Sequence, residues 1–124
     1  MGILDIFKSN ATEKSMKWNT IHSLEDLNQV FEASKTKKQM IFKHSTSCSI
    51  SNMALNRTEN NWDISDDITP HYLDLLNYRD LSNKIAEIYD VKHESPQVLI
   101  IEKGKCIYHN SHNGIRVEEI KALI

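Results

Sequence analysis

The chain of 124 residues has only two cysteines, Cys48 and Cys106. That excludes the disulfide framework by which small secreted domains compensate for a thin core. Three glycines and two prolines exclude a collagenous or low-complexity chain and argue against a loop-dominated scaffold. Long apolar runs are absent: the longest, Val98-Leu99-Ile100-Ile101, falls far short of the ~20 residues that a bilayer requires. The opening MGILDIFKSN lacks the basic and apolar regions of a secretory signal. Nor is there an excess of positive charge. Fifteen basic residues stand against 17 acidic ones, a net charge of −2, which gives no electrostatic footprint for nucleic acid. The expectation is one soluble cytoplasmic domain with no membrane or nucleic-acid partner. In a reducing compartment a cysteine is buried filler, a metal ligand or a reaction centre.

What is present is alternating apolar punctuation. Ile3, Leu4, Ile6 and Phe7 suggest a short N-terminal helix, followed by a polar connector. Residues 17–21 suggest a short strand. Ser23 is a good N-cap, with Asp26 three residues on, and Leu24, Leu27, Val30 and Phe31 recur at helical spacing. Residues 39–44 form a short apolar-centred strand. A helix from Cys48 or Ser49 carries Ile50, Met53, Ala54 and Leu55, and the next strand is expected over residues 71–76. Asp80 is expected to cap a third helix bearing Leu81, Ile85, Ile88 and Tyr89. After Ser95-Pro96 come a strand over 97–102, a turn at Lys103-Gly104, and a hairpin partner over 105–109. Asn113-Gly114 makes another turn. Val117, Ile120, Leu123 and Ile124 line a last helix. The order β-α-β-α-β-α-β-β-α implies an α/β fold, with parallel strands, a late antiparallel hairpin, and helices on both faces.

The chemistry concentrates in Lys43-His44-Ser45-Thr46-Ser47-Cys48-Ser49-Ile50-Ser51. Cys48 stands where a buried strand gives way to a helix. Unpaired amides and the helix dipole at that point favour an anion. Thiols so placed have pKa values lowered from about 8.5 into the range of roughly 3.5–7.5, and the thiolate is the nucleophile in disulfide exchange. The competing reading of such a cysteine is a small buried hydrophobe. Pro96, which cannot donate to a ladder, suits the first position of its strand.

A cysteine opening the second main helix, with a proline opening the late hairpin, resembles the thioredoxin fold over residues 17–124. The resemblance implies a central mixed sheet of about five strands, or four, and leaves residues 1–16 as an N-terminal extension. It also implies that Pro96 is cis, and that Ser95 and Pro96 line the groove that receives substrate. Cys48-Ser49-Ile50-Ser51 is a C-x-x-S motif, with Ser51 in the place of a resolving cysteine. It resembles the monothiol bacilliredoxins (the YtxJ-like family), whose motif reads Thr-Cys-Pro-Ile-Ser. Cys48, Ile50 and Ser51 match, whereas Ser47 and Ser49 replace the Thr and Pro. Flanking Phe42-Lys43-His44-Ser45 and Asn52-Met53-Ala54 are also similar. That family's reaction is implied: the Cys48 thiolate takes bacillithiol from a bacillithiolated protein and releases it to a low-molecular-weight thiol. No metal or nucleotide cofactor is implied, bacillithiol being the thiol co-substrate.

Other features carry competing readings. Two functions stand beside the exchange reaction: a non-catalytic thioredoxin-fold adaptor, and a monothiol glutaredoxin-like protein using glutathione or an iron–sulfur cluster. His44, four residues before Cys48, would favour the thiolate if it were a cation, but reads equally as a solvated histidine. Cys106 is expected on the order of 20 Å or more from Cys48, too far to resolve it. Cys106, His109 and His112 spell C-x-x-H-x-x-H, a zinc-like spacing. Strand alternation is expected to put Cys106 and His109 on opposite faces, and closed tetrahedral zinc needs four ligands. Asp63, Asp66 and Asp67 read as a soluble acidic loop, and Trp18 and Trp62 as packing residues or as borders of the cleft.

Overall fold

The computed structural model describes residues 16–124. The helix expected of Ile3 to Phe7 lies outside them. Five strands and four α-helices follow: β1 (Asn19–Thr20), α1 (Leu24–Ala33), β2 (Lys38–His44), α2 (Ser49–Asn61), β3 (Ile68–Asp74), α3 (Arg79–Tyr89), β4 (Gln97–Glu102), β5 (Lys105–Ser111) and α4 (Val117–Lys121). The sheet order is β1-β3-β2-β4-β5. β3 runs parallel to both β1 and β2, while β4 is antiparallel to both β2 and β5. This is the mixed five-stranded sheet that the element order implied.

Side-chain alternation divides the core in two. Met40, Phe42, Val98 and Ile100 face α2 and α4, where Ala54, Val117 and Ile120 meet them. Ile41, Leu73, Leu99 and Ile101 face α1 and α3, against Leu27, Val30, Leu81 and Ile85. Val98 through Ile101 are all fully buried, as expected of a strand covered on both faces. Met16, at the edge of the described residues, also packs in the first core.

Several local expectations are corrected. Ser23 caps α1, its Oγ accepting from Asp26 N–H at 3.1 Å, and Asp26 answers by accepting from His22 N–H at 2.8 Å. In contrast, Asp80 does not cap α3. Tyr78 takes the N-cap position without a side-chain bond, and Asp80 lies in the first turn. β3 begins at Ile68 rather than at His71, with Pro70 inside it. Asn113-Gly114 belongs to a 3-10 turn, His112–Gly114. On α2 the buried residues are small: Ser51, Ala54 and Thr58. Ile50 and Met53 are 49% and 63% exposed, and Ile88 of α3 is also exposed. A face of small residues lets α2 lie close on the sheet, with Leu55 half-buried against the core and Ile50 and Met53 in solvent.

Candidate active site

β2 ends at His44, and the chain reverses through Ser45–Cys48, where Cys48 N–H donates to Ser45 O at 3.2 Å. Cys48 is then the N-cap of α2, in an extended conformation. The first bond of the helix is Asn52 N–H to Cys48 O, at 3.0 Å. The amides of Ser49, Ile50 and Ser51 therefore have no partner within the helix, and they surround the end at which Cys48 sits. The thiol is half-buried and unbridged. Ser47, Ser49 and Ile50 are exposed around it.

Ser51 differs in character from its neighbours. It is fully buried. Its Oγ accepts from Ser45 N–H at 3.0 Å and lies 2.7 Å from His44 Nδ1. The hydroxyl therefore locks the end of β2 to the turn that presents Cys48. His44 is also buried, and burial is the main force lowering its pKa, against the opposing pull of Asp74, Asn52 and Glu59. The imidazole is therefore neutral at pH 7. This corrects both expectations for His44, because it is neither a cation beside the thiol nor solvated. The consistent tautomer places its proton on Nε2, so that Ser51 donates to Nδ1.

β3 supplies residues that the sequence reading missed. Asp74 is in register with His44, and Tyr72 with Phe42. The Tyr72 ring centroid lies 5.6 Å from that of His44 and 6.0 Å from that of Trp18. Trp18 Nε1–H donates to Glu59 on α2 at 2.8 Å. Burial, then Asp74 and Glu59, push the Tyr72 hydroxyl up, so it stays protonated. Asp74 accepts from Asn77 through Oδ2, while its Oδ1 is buried without a partner. No sequence signal marked Tyr72 or Asp74, because their proximity to the turn is a matter of β3 register.

The opposite wall comes from β4. The Ser95–Pro96 peptide bond is cis. Gln97 pairs with Lys43, so the antiparallel register carried one residue further sets Pro96 beside His44. Pro96 is buried, and its carbonyl accepts from His112 N–H at 3.0 Å. Ser95 Oγ is buried without any hydrogen-bond partner. The strand end that launches Cys48 and the cis-proline segment thus meet at one end of the sheet.

The pattern "Monothiol bacilliredoxin BrxC" matches residues 19–120. The chain belongs to the monothiol bacilliredoxin family. Among solved structures it is similar to a candidate oxidoreductase with a thioredoxin fold: 32% identity, 84% of this chain and 90% of that one covered, TM-score 0.73. The fold is also that of the Malassezia sympodialis thioredoxin, at 14% identity, 87% and 88% coverage and TM-score 0.67. A thioredoxin from Fasciola hepatica matches at 15% identity, 86% and 95% coverage and TM-score 0.63. Family and fold together make this bacilliredoxin a thiol oxidoreductase of the thioredoxin type.

The second cysteine lies elsewhere. Cys106 pairs with Ile101, which pairs with Gln39. It is therefore level with the start of β2, five strand positions or about 16 Å from His44. A disulfide needs Cα atoms within about 7 Å. Its expected orientation relative to His109 is corrected. A bulge in β5 sets Cys106 opposite Ile101 and His109 opposite Leu99, which puts both on the same face. Among the described residues, no group of three or more His, Cys, Asp and Glu side chains could hold a metal.

Proposed function

We propose that this bacilliredoxin removes bacillithiol from mixed disulfides on protein cysteines by monothiol exchange at Cys48. The observation that carries this reading is the pairing of a nucleophile with a position that cannot resolve it. Cys48 terminates α2 with free amides around it, and the third position after it is a buried serine already committed to His44 and Ser45. A site so built attacks a disulfide and holds the adduct, but forms no internal bridge within the motif.

The steps balance as two exchanges. The Cys48 thiolate attacks the bacillithiol sulfur of a protein–bacillithiol disulfide. The Cys48–bacillithiol disulfide forms, and the protein leaves as a thiolate that takes up a proton from water. A second low-molecular-weight thiolate then attacks the bacillithiol sulfur, forming a new disulfide and releasing the Cys48 thiolate. Helix amides stabilise sulfur anion both as attacker and as leaving group. Ser95, with its unpaired Oγ, is the groove residue placed to bond the incoming molecule. Bacillithiolated proteins and a small thiol are the partners, in the cytoplasm. The chemistry requires no metal or nucleotide.

Mass spectrometry of Cys48 after mixing with a bacillithiolated protein tests this. Transfer of the bacillithiol mass, abolished in Cys48→Ser, is expected. An unmodified Cys48 beside an intact substrate would instead favour a non-catalytic adaptor. A preference for glutathionylated substrate, or a brown anaerobic preparation, would favour a glutaredoxin-like protein.

A further inference from the structure

Behind the groove, on the sheet face opposite α2, β2 buries a lysine. Lys43 has no exposed surface. Its Nζ donates to Ser82 O on α3 at 3.1 Å and lies 3.3 Å from His93 Nδ1. Ser82 Oγ lies 3.2 Å from the same nitrogen. Burial lowers the Lys43 pKa to about 8, and it also lowers that of His93, helped by Lys43 and Arg79. At pH 7 the ammonium is therefore the donor and the neutral His93 Nδ1 the acceptor.

Burying an ammonium carries a desolvation cost that an apolar side chain of the same length would avoid. What the amine does here is tie β2 to the segment that leads into Pro96. That segment is pinned residue by residue. Gln97, itself buried, donates Nε2–H to Lys92 O at 2.9 Å. His93 meets Lys43. Glu94 accepts from Ser111 Oγ on β5 and lies 4.0 Å from His112 Nδ1. Only at Ser95 does the pinning stop, and that hydroxyl is the unpartnered one.

We propose that Lys43 is a positioning residue for exchange: through His93, its buried amine holds Ser95 and Pro96 in place beside the end of β2, and so sets the fit of the incoming disulfide without touching it. This rests on the exchange reaction proposed above.

The test uses Lys43→Met, His93→Ala and the double variant, with three readouts. Each single change is expected to raise KM for a protein mixed disulfide about fivefold while kcat stays within about twofold. Alkylation of Cys48 by iodoacetamide should not change. The double variant should be no worse than the weaker single, because both remove one contact. Backbone amides of residues 92–95 should exchange faster in each variant, out of proportion to any change in global stability. If Lys43→Met does not fold, His93→Ala removes the same contact from the exposed side and carries the test. Additive effects on KM, a fall in kcat and alkylation in step with KM, or unchanged exchange at 92–95 would each overturn the proposal. A wild-type protein that exchanges no mixed disulfide would sink the proposed reaction, yet the amide exchange would still report whether Lys43 holds this segment.

Discussion

Cys48 caps a helix at the end of β2 where the cis-proline segment lies, whereas Cys106 sits inside β5, level with the opposite end of β2. Cys48 stands at the helix end, where the first amides have no partner within the helix. Cys106 packs against the α1–α3 core, and its Sγ donates to Tyr108 O at 3.2 Å. Burial pushes the Cys106 thiol up. Neither is bridged. The difference lies in what the backbone does around each sulfur. A helix terminus offers donors to an anion, while at Cys106 burial outweighs the backbone hydrogen bonds of Tyr108 and Ile100 and favours the neutral thiol.

The contrast breaks most sharply under substitution. Cys48→Ser should reduce thiol release from a protein mixed disulfide by at least about 1,000-fold, since the other cysteine, Cys106, lies at the far end of the sheet. Cys106→Ser should leave that release within about twofold. A comparable loss in both would mean that the two sulfurs cooperate.

Alkylation sharpens the same contrast. At pH 7, iodoacetamide should label Cys48 at least about tenfold faster than Cys106, as read by peptide mass spectrometry. The sign of the pH dependence follows from the raised Cys106 pKa. Its thiolate fraction is below that of an ordinary cysteine throughout the neutral range, so its labelling should still be climbing in alkaline solution where a free thiol has levelled off.

Two further changes act on the supports rather than on the sulfurs. Ser51→Ala leaves Ser45 N–H and His44 Nδ1 without their buried partner. It should cost about 1–3 kcal/mol in a denaturant titration, and slow exchange by loosening the Cys48 turn. Gly104→Ala addresses the hairpin that carries Cys106. Gly104 has φ of 78°, and an added Cβ would meet the Phe31 ring at 3.0 Å. It should cost about 1 kcal/mol and leave Cys48 alkylation unchanged. A loss of reactivity at Cys48 in this variant would show that the two ends of the sheet are coupled.

Strands β2 and β4 and the Lys103-Gly104 turn were legible because apolar runs and turn residues report local geometry directly. The placement of Cys48 at a helix N-terminus was legible for the same reason. The buried face of α2 was not legible, because packing distance, and not hydrophobicity, put Ser51, Ala54 and Thr58 against the sheet. Cys106 and His109 were misread because one bulged residue reverses strand parity and leaves no mark in composition.

The sequence by itself determined the order of elements, the C-x-x-S motif and the family, since these depend on residue type and short spacing. Only the tertiary structure decided that His44 is buried and neutral, that Asp74 and Tyr72 join it, and that Lys43 reaches the segment before Pro96. Those facts depend on the register of strands distant in sequence and on which side chains lose water. Desolvation is a property of the packed assembly, which no stretch of chain carries alone.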